Sequence, residues 1–331
     1  MATRHVDAQG ESFPLERPFR ISRGVKSAAD VVTVRIEQDG LTGWGEAVPY
    51  PRYGESVPKS LAEIETVRIQ LEQGASREAL LDLLPAGAAR NAVDCALWDL
   101  ELRLRNSGAA SKLGLPSSAS PIPTAMTVGL DQPDAMAAEA HHLSGVPLIK
   151  VKVDGSNPEA QLRAVRAAAP SPSLIVDPNE SWSMAHVRDL QPLMVELRVD
   201  LLEQPLPAHE DQELSGFRSA VPIAADESVH VAADLDALPD GYQVVNIKLD
   251  KSGGLTAALE LEQAARARGL GIMTGCMICS SLSIAPIWAI AARSAFVDLD
   301  GPLWLKADRP HGVRGDNGML YPAAPDFWGL A

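Results

Sequence analysis

Seven apolar runs in this chain each end in a charged or reactive residue, and these ends recur at a nearly constant interval. The seven residues are Lys152, Asp177, Glu203, Asp226, Lys248, Cys276 and Asp298. Their successive intervals of 25, 26, 23, 22, 28 and 22 residues match one strand plus one helix, because a parallel sheet needs about a dozen or more residues to cross back between strands. The pattern favours a closed α/β barrel, whose active site lies at the carboxyl ends of the strands.

Length and charge narrow the class of protein. A chain of 331 residues has room for a barrel of typically ~250 residues and a smaller domain. The net charge of −14 argues against nucleic acid and anionic membranes as partners, since both need basic patches. Three cysteines cannot build a disulfide framework, and the sequence shows no signal peptide or membrane span. We expect a cytoplasmic protein that acts on a small molecule, and the sequence leaves a homo-oligomer open.

The beginning of the chain does not follow the interval. Residues 31–36 and 41–46 have the composition of two strands, and Asp39-Gly40 between them predicts a hairpin turn. Helical patterns follow at 58–73 and 88–106. These elements predict an α+β domain that begins with antiparallel strands.

Domain limits follow from where the interval begins and ends. We predict the α+β domain over residues 1–118, and a barrel over residues 119–304, with a Ser-, Pro- and Gly-rich linker at 113–123 between them. The tail, 305–331, is expected to pack back on the first domain. The predicted barrel strands are 122–128, 147–153, 173–177, 199–203, 221–226, 243–249, 271–276 and 295–299.

Three lysines are candidate catalytic residues. Lys150 and Lys152 lie on one face of the second strand, because alternate residues of a strand share a side. A central parallel strand is covered on both sides, so both ammonium groups are expected to point into the barrel, where each lowers the other's pKa toward the range of a general base. Lys248 ends the sixth strand, directly opposite in an eight-stranded ring. Two opposed bases suit removal of a proton from one face of a carbon and its return to the other.

Three carboxylates are candidate metal ligands. Asp177, Glu203 and Asp226 end three consecutive strands, and carboxylates crowded at one mouth repel unless a cation lies between them. Ligation by oxygen alone favours Mg²⁺ over Zn²⁺. Capping of the following helix explains any one aspartate, but it explains Glu203, which precedes Gln204-Pro205, poorly.

Two further aspartates follow the eighth strand. Strand alternation directs Asp298 and Asp300 toward the mouth of the barrel. They are expected to lie too far around the ring to share a metal ion with Asp177, so their natural partner is a substrate ammonium. Turn capping is the alternative.

Cys276 and Cys279 form a C-x-x-C motif without a second metal-binding pair. We interpret Cys276 as a residue of the cavity wall.

These residues occur in contexts that resemble the muconate lactonising subgroup of the enolase superfamily. The matching segments are Lys150-Val151-Lys152, Asp177-Pro178-Asn179, Glu203-Gln204-Pro205, Asp226-Glu227-Ser228 and Lys248. The resemblance implies a (β/α)7β barrel with an α+β capping domain and one Mg²⁺ per subunit. It also implies that Lys150 adds positive charge at the substrate carboxylate, while Lys152 and Lys248 exchange the roles of base and acid.

Finer similarities point to a substrate class. Asp298-Leu299-Asp300 is similar to the signature with which dipeptide epimerases hold the α-ammonium of a dipeptide. Residues 49–56 and 275–277 look like those of L-Ala-D/L-Glu epimerases, which implies a role in cell-wall peptide recycling. By the same resemblance, Arg23 would bind the glutamate side chain, and Thr127 and Cys276 would line the pocket.

The residues leave other functions open. An N-acylamino acid racemase or an o-succinylbenzoate synthase of the same subgroup would leave Asp298 and Asp300 idle, because an N-acyl substrate has no ammonium. A non-catalytic metal-binding barrel would leave opposed lysines unexplained, since their burial is costly. Taken with the residues, the resemblance implies an isomerase that transfers a proton at the α-carbon of the C-terminal residue of a dipeptide.

Overall fold

The computed structural model describes residues 4–22, 24–106, 108 and 120–329, and its strands form three sheets. The first sheet has three antiparallel strands, the second has eight parallel strands, and the third is a small antiparallel sheet. The strands are β1 (His5–Ile21), β2 (Gly24–Gln38), β3 (Leu41–Ala47), β4 (Ile122–Pro123), β5 (Met126–Val128), β6 (Leu148–Lys152), β7 (Ser173–Asp177), β8 (Leu201–Glu203), β9 (Ile223–Ala225), β10 (Val244–Ile247), β11 (Gly271–Gly275), β12 (Phe296–Asp298), β13 (Arg314–Asp316) and β14 (Met319–Tyr321).

The N-terminal α+β domain is built on β1, β2 and β3 in that order. The predicted hairpin turn is confirmed, since Asp39 and Gly40 have φ values of 53° and 77°. Gly43 and Gly45 on β3 let a helix approach closely, because a Cβ at either position would collide with backbone atoms of that helix. The helices of this domain are α1 (Val57–Glu72), α2 (Arg77–Leu83) and α3 (Ala88–Leu104).

The eight-stranded sheet closes into the predicted barrel. Its strands run in chain order from β5 to β12, and the backbone N–H of Ala125 donates to the carbonyl of Val297 at 2.7 Å, which joins the first strand to the last. The helices of this part are α4 (Pro133–His142), α5 (Pro158–Ala168), α6 (Met184–Asp189), α7 (Gln191–Glu196), α8 (Leu249–Ser252), α9 (Leu255–Ala267), α10 (Ser281–Ile284) and α11 (Trp288–Ala291).

Two crossovers lack an α-helix among the described residues. After β8 and after β9 the described chain has only 3₁₀ turns, at Asp211–Leu214 and Ala232–Asp236. Elsewhere the predicted helices are present, and Gly269 follows α9 with a φ of 75°, as expected of a glycine that ends a helix. No helix among the described residues is long and apolar enough to cross a membrane.

An apolar layer fills the lower part of the barrel. It consists of one side chain from each barrel strand or from the residue just before the strand. These side chains form a cluster that is separate from the outer core between the strands and the helices. Its members are Ala125, Leu148, Ile175, Leu201, Ala224, Val244, Met273 and Phe296. This layer fills the barrel below the carboxyl ends of its strands. The residues directly above it form a layer that we call the floor.

Contacts between the two domains place the N-terminal domain over the carboxyl ends of the strands. The buried Asp250, at the start of α8, accepts hydrogen bonds from the backbone N–H of Val48 at 2.8 Å and from Asn91 at 2.9 Å. At the end of the chain, Trp328 donates to the carbonyls of Trp44 and Cys95 at 3.1 and 3.2 Å. The predicted boundary at residues 118 and 119 lies outside the described residues and stays a prediction.

Candidate active site

A polar layer lies directly above the apolar one. The residue two positions further along each strand points to the same side, and in this barrel nearly all of these residues are polar and all are buried. They are Thr127, Lys150, Asp177, Glu203, Asp226, Asn246, Gly275 and Asp298. A cavity of about 460 Å³ opens above them, between the barrel and the N-terminal domain.

Lys150 lies at the centre of this polar layer. Its Nζ is 2.7 Å from Glu203 Oε2, 2.7 Å from Asp298 Oδ2 and 3.0 Å from Asp177 Oδ2. Burial disfavours the ammonium, but Asp298 and Glu203 outweigh it and raise the pKa of Lys150 well above its ordinary value. The expectation that neighbouring cations lower this pKa is therefore wrong for Lys150, because the carboxylates surrounding it outnumber the cations.

Lys152 and Lys248 face the cavity from β6 and from the end of β10, four strands apart in the ring. Lys152 Nζ donates to Asp177 Oδ2 at 2.5 Å, and Lys248 Nζ donates to Asp226 Oδ2 at 2.6 Å. Burial opposes the charge on Lys248, and Asp226 raises its pKa above the ordinary lysine value. A Cβ on Gly275 would lie 2.9 Å from Lys248 Cε, so the glycine in the polar layer makes room for this side chain.

The three predicted metal ligands are buried at the ends of β7, β8 and β9. Burial together with the nearby Asp177 raises the pKa of Glu203 to about 7. Burial acts the same way on Asp177, but Lys152 and Lys150 outweigh it and lower that pKa. In the part of the chain that the structure describes, no group of three His, Cys, Asp or Glu side chains is arranged to hold a metal ion as it stands.

Lysine ammonium groups occupy the positions between these carboxylates. Lys150 bridges Asp177 and Glu203, while Asp226 is paired with Lys248 and Lys251. All of the candidate donor atoms are carboxylate oxygens, the donors that Mg²⁺ prefers. These oxygens already contact ammonium groups, which neutralise the repulsion among the buried carboxylates. The residues therefore fit a hard divalent cation, provided that the lysine side chains shift to admit it.

Two buried residues that hold the carboxylates were not among the predicted site residues. Asn246 donates from Nδ2 to Glu203 Oε1 at 2.9 Å. Lys251, which is 1% exposed, is 2.7 Å from Asp226 Oδ1 and donates to the carbonyls of Val229 and Asn246 at 2.9 and 3.0 Å. Strand alternation from Lys248 would have placed Asn246 inward, but nothing in the sequence pattern indicates that Lys251 turns back toward β9.

Asp298 and Asp300 line the cavity beside Thr127. Asp298 Oδ2 accepts from Lys150, and its buried Oδ1 has no hydrogen-bond partner among the described residues. Asp300 Oδ2 accepts from the backbone N–H of Thr127 at 3.0 Å and from the indole of Trp304 at 3.1 Å. The two carboxylates thus provide an acceptor for a positively charged group in the cavity.

The N-terminal domain supplies the opposite wall of the cavity. Phe19, Lys26, Tyr50 and Tyr53 line it, and the Lys26 ammonium lies 4.9 Å from the centre of the Tyr50 ring. Arg23, which the resemblance assigned to the substrate side chain, lies outside the described residues. Lys26 was not predicted, although it is only three residues further along the chain.

The cavity wall also includes a link between the domains. Arg52 forms two hydrogen bonds, of 2.8 and 2.9 Å, with the carboxylate of Glu180 in the loop after β7. Cys276 lines the cavity, while Cys279 is fully buried, and burial raises the pKa of its thiol well above the ordinary value.

The fold, the two domains and the ring of charged strand ends define a known class of protein. Residues 4–114 match the model of the mandelate racemase/muconate lactonizing enzyme N-terminal domain, and residues 134–325 match the model described as enolase C-terminal domain-like. The chain belongs to this family of the enolase superfamily, which confirms the resemblance found in its motifs.

Individual relatives are similar over almost the whole chain. An L-Ala-D/L-Glu epimerase from Escherichia coli (strain K12) is 46% identical over 320 residues, which are 96% of this chain and 99% of the relative. An N-acetyl-D-glutamate racemase from a Pseudoalteromonas species is 41% identical and covers 91% of this chain and 96% of the relative.

A solved structure shares the fold in detail. It is an enolase family member from Agrobacterium tumefaciens with homology to dipeptide epimerases, containing bound sodium and L-Ala-L-Glu with an ordered loop. It superposes with a TM-score of 0.95 at 46% identity, covering 98% of this chain and all of the other.

Proposed function

We propose that this protein is a cation-dependent dipeptide epimerase that moves a proton at the α-carbon of the C-terminal residue, with L-Ala-D/L-Glu as its substrate. The observation that carries the proposal is the placement of Lys152 and Lys248 on opposite strands, both facing one cavity. The carboxylates beside them, and a relative whose name describes this activity, support the same conclusion.

The two lysines divide the proton transfer. In one direction neutral Lys152 removes the α-proton from one face of the carbon, and the Lys248 ammonium donates a proton to the opposite face. This transfer leaves Lys152 protonated and Lys248 neutral, so in the reverse reaction Lys248 is the base and Lys152 is the acid. Proton transfer by a positioned side chain typically contributes about 10²–10⁴-fold to a rate.

Asp177, Glu203 and Asp226 would hold a divalent cation, which we propose is Mg²⁺ at one ion per subunit. When bound, the cation supplies positive charge to the substrate carboxylate and makes the neighbouring α-proton more acidic. Lys150, at the centre of the polar layer, adds a fixed positive charge on the same side of the cavity. Asn246 and Lys251 orient Glu203 and Asp226 through their hydrogen bonds.

The two ends of the dipeptide are recognised by different domains. Asp298 and Asp300 bind the α-ammonium, because Asp298 Oδ1 lies in the cavity wall without a hydrogen-bond partner among the described residues. Lys26 faces the cavity from the N-terminal domain and attracts an acidic side chain of the C-terminal residue. Thr127 and Cys276 line the same space.

The second candidate is racemisation of an N-acylated glutamate. It is favoured by the relative named N-acetyl-D-glutamate racemase, which is 41% identical. Such a substrate has a carboxylate and an acidic side chain but no ammonium. It would leave Asp298 Oδ1 unpaired beside a neutral group, and burial of an unpaired carboxylate oxygen is costly.

Solvent deuterium exchange separates these functions. The protein is incubated in D₂O with Mg²⁺ and a panel containing L-Ala-L-Glu, L-Ala-D-Glu, L-Ala-L-Leu and N-acetyl-L-Glu, and products are read by mass spectrometry and chiral chromatography. We expect deuterium at the glutamate α-carbon and formation of both Ala-Glu epimers. Exchange in N-acetyl-L-Glu at an equal or greater rate would favour the racemase, and exchange in none of them would contradict both.

Several statements from the sequence stay predictions. They are the cytoplasmic location, assembly into a homo-oligomer and a role in recycling cell-wall peptides. The described chain has no helix able to cross a membrane.

A further inference from the structure

Trp304 is a buried residue that joins Asp300 to the barrel wall. It ends a 3₁₀ turn, Gly301–Trp304, which begins directly after Asp300. Its indole N–H donates to Asp300 Oδ2 at 3.1 Å, and the backbone N–H of Thr127 donates to the same oxygen at 3.0 Å. Two donors on one oxygen fix the orientation of the carboxylate and leave its second oxygen outside these bonds.

The other side of the indole ring contacts the N-terminal domain. Phe19 packs edge-on against it, with ring centroids 4.7 Å apart and an interplanar angle of 75°. The guanidinium of Arg17 lies 4.6 Å from the centre of the same ring. Because Phe19 also lines the active-site cavity, the indole connects the wall that β1 supplies with the carboxylate at the end of β12.

A second, smaller cavity lies behind Asp300. It has a volume of about 130 Å³ and is lined by Glu16, Arg17, Thr127, Asp300 and Trp304 among others. The carboxylate of Asp300 therefore has space into which it could rotate. Its bonds to Trp304 and Thr127 oppose that rotation.

We propose that Trp304 is a positioning residue that holds Asp300 against the active-site cavity and thereby determines selectivity for substrates with a free α-ammonium. This inference rests on the proposed function and deepens it, because it names the group that keeps the ammonium-binding carboxylate in place. Through Phe19, the same indole couples this carboxylate to the position of the N-terminal domain wall.

The charges near Asp300 predict how the pH profile responds. Burial and the neighbouring Asp298 raise the pKa of Asp300 to about 6, while its hydrogen bonds with Trp304 and Thr127 lower that pKa. Among the described residues, the charged groups near this region include Lys150, which is paired with Asp298, and Glu16 and Arg17 at the smaller cavity, where Arg17 is paired with Glu139. Loss of the indole N–H raises the pKa further, so a larger fraction of Asp300 is neutral near pH 7.

The test is Trp304→Phe, which removes the N–H donor and keeps an aromatic ring against Phe19. We expect kcat/KM for L-Ala-L-Glu to fall about threefold to tenfold, mainly through KM, and the acid limb of its pH profile to move to higher pH. Exchange of N-acetyl-L-Ala-L-Glu should be unchanged, since that substrate has no ammonium. Trp328→Phe is the matched control, because it loses indole hydrogen bonds to Trp44 and Cys95, which line neither cavity.

The outcomes are separable. A Trp304→Phe protein with the same KM and acid limb as Trp328→Phe would overturn the inference, even if its melting temperature fell. An equal loss on the free and N-acetylated dipeptides would overturn it as well. If the wild type neither binds L-Ala-L-Glu in calorimetry nor exchanges its α-proton, the proposed function itself fails, and the inference fails with it.

Discussion

The barrel floor and the wall that the N-terminal domain supplies face the same cavity but are built differently. The charged residues of the floor are almost fully buried, with Lys150 at 1% and Glu203 at 0% exposure. The wall residues opposite them are half-buried or exposed, and Val25 is 53% exposed. The floor side chains are therefore held by contacts with one another, whereas the wall residues retain room to adjust to a substrate.

Energetics explain this difference. A buried ammonium is stable only when it is paired and hydrogen-bonded, and Lys150 has three carboxylates within 3.0 Å. Contacts such as Lys26 over Tyr50 are cation–π interactions that contribute about 0.5–1 kcal/mol when exposed. Chemistry that depends on position belongs to the floor, and selection of the substrate side chain belongs to the wall of the N-terminal domain. Changes in the floor should therefore reduce kcat, and changes in the wall should mainly raise KM.

The largest effect expected is removal of the divalent cation. Treatment with EDTA should abolish exchange, because Asp177 and Asp226 would then pair with Lys152 and Lys248, the two lysines that must transfer protons. Addition of Mg²⁺ or Mn²⁺ should restore activity, measured as deuterium incorporation into L-Ala-L-Glu. Full turnover after thorough chelation would show that the floor works without an added cation.

A floor residue that binds substrate should have the next largest effect. Asp298→Asn weakens a charge-assisted hydrogen bond, and such bonds contribute about 1.5–3 kcal/mol. We expect kcat/KM for L-Ala-L-Glu to fall by about tenfold to a hundredfold or more. The exposed Asp316→Asn is the control. N-acetylation of the dipeptide should harm the wild type far more than the variant, and equal wild-type activity on both forms would contradict the assignment.

The smallest effect is expected in the wall of the N-terminal domain. Lys26→Ala removes a half-buried cation from the cavity wall, and pairs at such sites contribute about 1 kcal/mol or less. We expect KM for L-Ala-L-Glu to rise by about twofold to fivefold, with kcat nearly unchanged. Wild type and variant should have the same KM for L-Ala-L-Leu, and the exposed Lys306→Ala is the control. A fall in kcat on both substrates would contradict the distinction between the floor and the wall of the N-terminal domain.

The floor was more predictable from the sequence than the wall of the N-terminal domain. The interval between strand ends predicted seven barrel strands in order, β6 to β12, because each buried parallel strand needs an apolar run and each crossover has a similar length. The first predicted strand, 122–128, divides into β4, which pairs with β14, and β5, which pairs with β6. The interval could not show that Lys150 pairs with Asp298 across β5, since that contact depends on closure of the ring.

Elements of both domains were missed for identifiable reasons. β1 is an edge strand whose residues are mostly exposed or half-buried, so it has no clear apolar alternation. The one-turn segments that replace helices after β8 and β9 give no helical period. Lys26 occurs among exposed residues, and only the fold brings it over Tyr50.

The central claim is that Lys152 and Lys248 act on opposite faces of one carbon. Lys152→Ala and Lys248→Ala should each reduce epimerisation by about 10²–10⁴-fold. The most direct measurement is α-proton exchange of L-Ala-L-Glu and L-Ala-D-Glu in D₂O with each variant, followed by mass spectrometry. We predict that one variant exchanges only one epimer and that the other variant exchanges only the opposite epimer. If both variants exchanged the same epimer, or if either epimerised at a near wild-type rate, the two-lysine account would be contradicted.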